Sequence, residues 1–370
     1  MGRTINVGYE AKPCYDIELQ RDFKSLPQKL KELGYADRKV CIVTDSNVEK
    51  LYLEELTGLL EPVFRKCVSY VFEAGEASKN TDTVGKVYEQ LILNGFDRKD
   101  LLIALGGGVV GDLTGFTAAT YLRGIDFIQV PTSLLAQVDS SIGGKTGVDF
   151  MQYKNMVGAF YMPKLVYMNL SALKTLPKRQ ISSGMGEIVK HGLIKDTAYF
   201  SYLKKNSEKL KALDMETVEE VVYGSCEIKR NVVENDPKEQ GERALLNFGH
   251  TIGHAIEKLS GFSLYHGECV ALGMAGAGYI SWKLGHITKE QLAMIEETIQ
   301  SYGLPVRLPD FSHSPEEILA ATKLDKKMES GKVKFIVLKE IGNAVITREL
   351  TDEEILAGIS YVTGAAYDEK

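Results

Sequence analysis

Histidines are concentrated in one stretch of the sequence, and their spacing is typical of a metal site. Three of the six histidines lie within seventeen positions: His250 and His254 in FGHTIGHAIE, and His266 in YHGE. Residues four apart share one face of a helix, and two histidines with one carboxylate and an open coordination position form a Lewis-acid site. Thr251, not glutamate, follows the first histidine, which argues against a zincin protease. The spacing leaves the carboxylate ligand open among Glu187, Glu257 and Glu268.

A glycine-rich segment, GGGVVGD at residues 106–112, follows the apolar run DLLIAL. Its glycines satisfy GxGxxG at a predicted strand-to-helix junction, where backbone amides bind a pyrophosphate; the alternative is a tight structural turn. A ribose-binding acid is expected at the end of a strand, whereas Asp126 begins one. Asp45 ends the run KVCIVTD and has the right position, although a helix N-cap would also place an aspartate there.

The segment SIGGKTG around Lys145 matches part of the Walker A pattern. That pattern needs a glycine where Asp139 stands, so hydrolysis of nucleoside triphosphates is rejected. A Gly-Gly-Lys-Thr turn still offers backbone donors and one mobile ammonium to a phosphate or a carboxylate. The alternative is an ordinary turn with a solvated lysine.

The first half of the chain predicts a parallel α/β sheet. Apolar runs rich in β-branched residues occur at 39–44, 100–105, 126–130 and 164–169, and amphipathic segments such as 84–94 lie between them. Short buried strands that alternate with helices are typical of a parallel sheet.

The second half predicts a different architecture. After about Pro177, apolar residues recur every three or four positions, at 217–231, 248–259 and 288–302, which predicts helices. Runs at 333–338 and 344–347 around Ile341-Gly342-Asn343 predict a hairpin. We therefore expect an α/β domain at residues 1–177 and a mainly helical domain at residues 178–370.

Composition limits the class of protein. The chain has 370 residues, 44% hydrophobic and 25% charged, which is typical of a folded protein of two domains. Its net charge of −6 argues against a broad nucleic-acid surface. Five cysteines without a CxxC pair favour a reducing cytoplasm, and no export signal or lipid anchor is expected. The apolar run 269–280 is too short to cross a membrane and predicts a buried helix.

Several motifs occur together in the order found in one enzyme family. They are GGGVVGDLTGFTAATYLRG, QVPTSLLAQVDSSIGGKTGVD, KNMVGAFY, LKTLP, GEIVKHG, LLNFGHTIGHAIE and HGE. In number and order they resemble 3-dehydroquinate synthase, the shikimate-pathway cyclase. The resemblance implies an N-terminal NAD-binding α/β domain, a mainly helical C-terminal domain that binds metal and substrate, an active site between them and a homodimer. It also implies one divalent metal ion, usually zinc, with cobalt as the other candidate.

The resemblance also assigns roles to individual residues. It places the metal ligands at Glu187, His250 and His266, which makes His254 a catalytic or substrate-contacting residue. It places NAD contacts at Asp45, Glu76, Lys79, Gly107, Gly108, Asp112, Thr132, Ser133, Asp139, Lys154 and Thr175. It implies that the catalytic residues are Glu239, His254, Asp139, Lys145, Asn155, Lys190, Arg243 and Asn247. It places substrate contacts at Arg123, Lys145, Lys229, Arg243 and Lys326, with Lys327 as the alternative to Lys326.

The implied reaction accounts for these residue types. The family's substrate, 3-deoxy-D-arabino-heptulosonate 7-phosphate, carries a carboxylate and a phosphate, so an acidic protein needs a local pocket of Lys and Arg. NAD takes the C5 hydride and returns it, and the metal binds the C4 and C5 oxygens as a Lewis acid. Phosphate elimination, ring opening and an intramolecular aldol step follow. Glu239 and His254 are the expected proton carriers.

The sequence departs from the family pattern at three positions, and other enzymes share parts of that pattern. Ser133 replaces a usual threonine, Asp149 stands where asparagine is common, and Pro237 interrupts an Asp-Glu pair. His191, four residues after Glu187, is expected to pack beside the metal site. The rival functions are another sugar-phosphate cyclase, an aminodehydroquinate synthase, and a metal-dependent glycerol or alcohol dehydrogenase. A dehydrogenase would leave lasting NADH absorbance, whereas the cyclase regenerates NAD within one turnover.

Overall fold

The computed structural model describes residues 2–151, 153–261, 263–324 and 333–364. The chain divides into two compact units, Met1–Leu176 and Pro177–Lys370, called unit 1 and unit 2 below. No helix within the described ranges combines the length and apolar character that a membrane span requires.

Unit 1 is built from strands and helices that mostly alternate along the chain. Its strands are β1 Arg3–Tyr9, β2 Lys12–Gln20, β3 Lys39–Asp45, β4 Lys66–Phe72, β5 Leu101–Gly106, β6 Asp126–Pro131, β7 Lys145–Phe150, β8 Tyr153–Phe160 and β9 Leu165–Asn169; its α-helices are α1 Leu26–Glu32, α2 Glu54–Leu60, α3 Thr81–Leu93 and α4 Gly108–Thr120. Seven strands form one sheet in the order β1, β2, β9, β6, β5, β3, β4. All neighbours in it are parallel except β1 and β2.

The two faces of this sheet bury separate hydrophobic cores. Side chains alternate along a strand, so Val40 and Ile42 of β3 face one core while Cys41 and Val43 face the other. Helices α1 and α2 cover the first face, and α3 and α4 cover the second. A parallel sheet covered on both faces accounts for the continuous apolar runs of β3 and β5.

Strands β7 and β8 form a separate antiparallel hairpin that packs against α4. Gly147 and Gly158 pair across it, and a Cβ on Gly158 would lie 2.3 Å from the carbonyl oxygen of Thr146. Glycine is therefore required where the two backbones approach. The hairpin holds Lys145 at its start and Asn155 on its second strand.

Unit 2 is mainly helical. Its helices are α5 Lys178–Lys195, α6 Thr197–Lys205, α7 Ser207–Lys211, α8 Met215–Asn235, α9 His250–Leu259, α10 His266–Lys283, α11 Lys289–Ser301, α12 Pro315–Leu324 and α13 Asp352–Thr363, and its hairpin consists of β10 Phe335–Glu340 and β11 Asn343–Thr347. Helix α10 is largely buried and packs against α5, α9, α11 and α13.

Glycines allow α5 and α9 to lie against α10 backbone to backbone. A Cβ on Gly273 of α10 would lie 1.7 Å from the carbonyl oxygen of Gly249, just before α9. A Cβ on Gly267 would lie 2.0 Å from the carbonyl oxygen of Ser183 on α5. Because larger residues do not fit at these crossings, the glycines set how closely the three helices approach.

The fold class predicted from the sequence is confirmed: a parallel α/β sheet is followed by a mainly helical region. The helix predicted at 248–259 begins at His250, because Gly249 has a left-handed backbone with φ of 80°. The hairpin around Gly342 is present, and the apolar run 269–280 lies within buried α10. Strands β1, β2, β4, β7 and β8 were not predicted.

Candidate active site

Three side chains with metal-binding atoms converge in unit 2. Glu187 lies on α5, and His250 and His266 are the first residues of α9 and α10. The Oε1 atom of Glu187 lies 3.6 Å from His250 Nε2 and 3.3 Å from His266 Nε2. Ligand atoms of all three lie within 4.8 Å of one another, close enough to bind a single ion.

The second nitrogen of each imidazole has its own partner. His250 Nδ1 lies 3.1 Å from the carbonyl oxygen of Phe248, and His266 Nδ1 lies 3.5 Å from Glu257 Oε2. Once Nε2 of His266 has released its proton, a proton on each Nδ1 leaves both Nε2 lone pairs facing Glu187. Among the described residues, the buried Oε1 of Glu187 accepts no hydrogen bond of normal geometry. A buried carboxylate oxygen faced by two lone pairs fits a divalent cation.

The charges around this cluster favour cation binding. Lys190 donates a hydrogen bond to Glu187 Oε2. Burial works to raise the pKa of the Glu187 carboxyl, but the Lys190 ammonium and the two imidazoles hold it well below its ordinary value. Burial and the Lys190 ammonium lower the pKa of His250 well below its usual range. Glu187 is therefore ionised and His250 neutral, the forms that bind a metal.

His266 differs from His250 because it lies between two carboxylates. Burial works to lower the pKa of His266, but contacts with Glu187 and Glu257 raise it to about 10. A bound metal ion would take the place of the proton between His266 and Glu187, since a ligating imidazole must release it.

The other candidates from the sequence lie differently. Glu268, one of the three candidate carboxylates, binds Arg179 through two contacts, Nε to Oε1 at 2.6 Å and Nη2 to Oε2 at 2.7 Å. Glu268 also caps α10 by accepting a hydrogen bond from the backbone nitrogen of Tyr265. The ring centroids of His254 and His250 lie 4.9 Å apart, so His254 borders the cluster. His191 Nδ1 lies 2.7 Å from the hydroxyl of Ser225 on α8.

One aspartate that the sequence analysis missed organises the loop before α9. The carboxylate of Asp236 accepts hydrogen bonds from the backbone nitrogens of Gln240, Gly241 and Arg243, at 2.9, 2.7 and 3.0 Å. Burial works to raise the pKa of Asp236, but these three backbone donors hold it below its ordinary value. Asp236 directly follows α8, five residues after the end of the helix predicted at 217–231, and an aspartate shortly after a helix was the available signal for such a role.

The same loop carries three residues that the family resemblance assigns to the reaction. Asn247 donates a hydrogen bond from Nδ2 to Glu239 Oε1 at 2.7 Å. Arg243 donates from Nη1 to the carbonyl oxygen of Pro237 at 2.6 Å. Glu239, Arg243 and Asn247 are thus held by a short loop whose backbone Asp236 fixes.

Three cations of unit 2 are buried. Lys190 is 1% exposed, Arg243 2% and Lys229 6%. Burying a cation costs free energy unless anionic or polar groups compensate it. Lys190 is compensated by the Glu187 carboxylate, and Arg243 donates to the carbonyl oxygen of Pro237. Lys326 and Lys327, the two candidates for a further cation, lie outside the described residues.

In unit 1, the glycine-rich segment lies at the predicted junction. Strand β5 ends at Gly106, Gly107 precedes the helix, and α4 begins at Gly108. A Cβ on Gly108 would lie 3.1 Å from the Ser140 hydroxyl oxygen, and one on Gly107 would lie 3.5 Å from that of Ser133. Gly107 and Gly108 therefore leave the backbone N–H groups at the start of α4 uncovered by side chains of their own, as an anion site requires.

A buried lysine joins several residues that the resemblance assigns to NAD or substrate. Lys79 is 4% exposed, and its Nζ lies 2.7 Å from Asp112 Oδ2 and 2.6 Å from Asn155 Oδ1. Burial works to lower the pKa of Lys79, but Asp112 and Glu76 raise it above its ordinary value. Burial in turn raises the pKa of Glu76. Lys79 therefore stays charged while buried.

Asp45 ends β3, the position expected of a ribose-binding acid. Its Oδ1 accepts hydrogen bonds from the backbone nitrogens of Asn47 and Val48, at 2.9 and 3.0 Å, in the turn after the strand. The N-cap of the helical segment that follows is Val48, so the alternative of a helix N-cap at Asp45 is not observed. Lys145 begins a strand, whereas a phosphate-binding loop of the Walker type leads into a helix.

The remaining candidates lie at ends of elements or in connecting segments of unit 1. Arg123 follows α4 with φ of 67°, and Thr132 donates a backbone hydrogen bond to Gly106. Ser133 and Asp139 lie between β6 and β7, Lys154 lies on β8, and Thr175 follows β9.

Comparison with known proteins places these features in one family. Two family models match consecutive parts of the chain, "3-dehydroquinate synthase N-terminal" at residues 69–183 and "3-dehydroquinate synthase C-terminal" at residues 184–328. The 3-dehydroquinate synthase of Ruminiclostridium cellulolyticum is 42% identical over 353 residues, which are 95% of this chain and 96% of that protein.

Solved structures show the same fold. A 2-epi-5-epi-valiolone synthase from Streptomyces hygroscopicus, with NAD+ and Zn2+ bound, has a TM-score of 0.88 and 27% identity over 98% of this chain and 100% of its own. A 2-deoxy-scyllo-inosose synthase complexed with carbaglucose-6-phosphate, NAD+ and Co2+ has a TM-score of 0.86 and 24% identity over 96% and 99%. Since the two family models together cover most of the chain and the relative matches nearly its full length, this chain belongs to the 3-dehydroquinate synthase family.

Proposed function

We propose that the chain is a phosphate-eliminating lyase that converts 3-deoxy-D-arabino-heptulosonate 7-phosphate to 3-dehydroquinate and phosphate. The observation that carries the proposal is the convergence of Glu187, His250 and His266 in a chain of the 3-dehydroquinate synthase family. The reaction comprises oxidation, phosphate elimination, reduction, ring opening and intramolecular aldol closure. Its product serves the shikimate pathway toward chorismate and the aromatic amino acids.

The proposed cofactors are one divalent metal ion and NAD. Glu187, His250 and His266 would hold the metal, and two imidazoles with one carboxylate favour zinc, with cobalt as the second candidate. The similar synthases above have Zn2+ or Co2+ and NAD+ bound. When bound, the metal supplies Lewis-acid stabilisation of substrate oxygens, and NAD supplies a reversible hydride acceptor.

The buried cations of unit 2 bind and orient the substrate. Lys190, Lys229 and Arg243 provide fixed positive charge for a carboxylate and a phosphate, and the guanidinium of Arg243 offers paired donors. His254 borders the metal ligands and carries protons at its ring nitrogens. Glu239, held by Asn247, is the second proton carrier.

Unit 1 provides the proposed NAD-binding domain and further substrate contacts. Backbone N–H groups at the start of α4 bind the pyrophosphate, and Lys79 contributes a charged donor. The proposed NAD contacts are Asp45, Glu76, Lys79, Gly107, Gly108, Asp112, Thr132, Ser133, Asp139, Lys154 and Thr175. Arg123, Lys145 and Asn155 complete the proposed substrate contacts, and Asp139 is also a proposed catalytic residue.

We further propose that the enzyme is a cytoplasmic homodimer with no nucleic-acid or membrane partner. The hairpin of β7 and β8 supports self-association, because Phe150, Met151, Met156 and Phe160 are 47–80% exposed on it. Cys41, Cys226 and Cys269 are buried and form no disulfide among the described residues, which suits a reducing compartment. Light scattering on the purified protein measures the dimer directly.

The proposal is tested by incubating the purified protein with NAD, zinc and the heptulosonate phosphate. Phosphate release and dehydroquinate formation are followed together with absorbance at the NADH maximum. The expected result is equal amounts of phosphate and dehydroquinate with no net NADH.

Other outcomes would contradict the proposal. Lasting NADH with glycerol or simple alcohols would identify a dehydrogenase. Turnover of an amino-heptulosonate phosphate alone would identify an aminodehydroquinate synthase. Folded, zinc-loaded protein that released no phosphate from the heptulosonate phosphate would remove the assignment.

A further inference from the structure

Glu257 is a carboxylate beside the metal ligands to which the proposed reaction assigns no role. It lies on α9, seven residues after His250 and three after His254, so all three occupy the same helix face. It is 8% exposed, and its Oε2 lies 3.5 Å from Nδ1 of His266 at the start of α10. A carboxylate in this place needs a reason, because burying it costs free energy.

The two nitrogens of His266 face different carboxylates. Nε2 lies 3.3 Å from Glu187 Oε1, and Nδ1 lies 3.5 Å from Glu257 Oε2. A neutral imidazole has one N–H and one lone pair, so the group that accepts the proton decides which nitrogen binds a metal. In His250 the proton acceptor beside Nδ1 is a backbone carbonyl, that of Phe248, instead of a carboxylate.

Glu257 itself has ligand atoms close to His254 and His266, so a second ligand set competes with the first. Glu257 lies beside Nδ1 of His266, whereas Glu187 lies beside Nε2. Two observations favour Glu187: it is fully buried, and its Oε1 is shared by two imidazole nitrogens and accepts no normal hydrogen bond among the described residues. Glu257 is then left to accept the Nδ1 proton.

We propose that Glu257 is a positioning residue for the metal site: its carboxylate accepts the Nδ1–H of His266 and so fixes Nε2 as the nitrogen that binds the ion. This inference rests on the proposed metal site and adds a partner behind one of its ligands. A carboxylate that accepts the Nδ1–H also makes the imidazole more basic at Nε2, and so a stronger metal ligand, than a backbone carbonyl does. His266 is therefore the ligand whose binding strength Glu257 sets.

The test is the zinc dissociation constant of the metal-free protein, measured by competition with a chromophoric chelator. Loss of a carboxylate behind a ligating histidine weakens metal binding about 10–100-fold, and we expect this for Glu257→Ala. Glu257→Gln keeps an oxygen acceptor in a side chain of the same size, so we expect it to lose less zinc affinity than Glu257→Ala. It also provides a folded variant if the alanine protein is unstable. Lys258→Ala, at an exposed position of the same helix, is the matched control and should match the wild type.

A spectroscopic measurement separates positioning from direct ligation. With Co2+ in place of zinc, Glu257→Gln should shift the visible bands while keeping their intensity, because the number of ligands is unchanged. Nitrogen NMR of the metal-free and zinc-loaded wild type should show the proton of His266 on Nδ1 in the loaded form.

Three results would overturn the inference. Zinc affinity of Glu257→Ala equal to that of Lys258→Ala would show that the carboxylate does not act on the site. Loss of bound metal as complete as in His266→Ala would make Glu257 a ligand. Wild-type protein that bound no zinc would contradict the proposed metal site and this inference together. The first two results would contradict the role of Glu257 alone, so the two failures are distinguishable.

Discussion

Gly273→Ala tests whether the close contact between α9 and α10 builds the metal site. The new Cβ would lie 1.7 Å from the carbonyl oxygen of Gly249, whereas real Cβ atoms essentially never come within 3.0 Å of such a neighbour. The obstacle is main chain, which cannot rotate away as a side chain does. The two helices must therefore separate by more than about 1 Å at this crossing.

The expected cost follows from that displacement. Overpacking costs about 1–3 kcal/mol, and a backbone obstacle places this site near about 3 kcal/mol. The better helix propensity of alanine returns about 0.5–1 kcal/mol. The net loss of about 2–2.5 kcal/mol lowers Tm by about 4–10 °C for a unit of this size. His250 directly follows Gly249, so zinc should also bind at least about tenfold more weakly, as for other changes around metal ligands.

The assay combines thermal unfolding of the metal-free protein with zinc competition. Gly278→Ala on the same helix is the control, because its Cβ would meet only the end of the Leu292 side chain, at 3.1 Å. Gly85→Ala on α3, with nothing within 4 Å, should raise stability by about 0.5–1 kcal/mol. If Gly273→Ala matched Gly278→Ala in both Tm and zinc affinity, the packing argument would be refuted.

Four further substitutions test separate parts of the site. His266→Ala should lose bound zinc, and full retention in metal analysis would remove it from the ligand set. Burial works to raise the pKa of Glu268, but Arg179 holds that pKa below its ordinary value. The ionised carboxylate therefore stabilises the folded protein at pH values above the pKa that Glu268 has in the unfolded chain. This stabilisation is lost as the pH falls through the lower pKa that Glu268 has in the folded protein. The free energy of unfolding of Glu268→Gln, measured with denaturant, should accordingly be lower than that of the wild type at pH 7 and equal to it at acid pH. A difference that stayed constant with pH would contradict this. Lys79→Met should weaken NAD binding by tenfold or more in calorimetry, since it removes a buried cation; unchanged affinity would contradict the assigned contact. Lys145→Ala should raise the KM for the heptulosonate phosphate, and unchanged kinetics would show that its ammonium does not contact the substrate.

The sequence predicted those parts of the fold in which local pattern and burial agree. Strands β3, β5, β6 and β9 are buried on both faces and read as continuous apolar runs. The β7–β8 hairpin was missed because β8, YKNMVGAF, alternates between exposed and partly buried positions and includes exposed Met156 and Phe160. Strand β4 was missed for a similar reason, since only Phe72 in it is fully buried.

At the site, spacing identified the histidines but left the carboxylate open. Sequence spacing does not choose among Glu187, Glu257 and Glu268, and only tertiary contacts distinguish them. Arg179, 89 residues before Glu268, engages that carboxylate. The pairing of His250 with His254 suggested by a helix face also differs from the observed cluster, because the start of α10 brings in His266. Such contacts are set by helix packing and leave no local mark in the sequence.

The place of β2 in the sheet has a consequence during synthesis. Asp16 of β2 pairs with Leu165 of β9, and β9 in turn pairs with β6. Closing a loop of about 150 residues costs about 4.4 kcal/mol of chain entropy. At roughly 5–20 residues per second, the ribosome takes about 8–30 s to make this stretch. For that interval the edge of β2 that will pair with β9 has no strand to bind, so the nascent chain is most exposed to misassociation before residue 169 emerges.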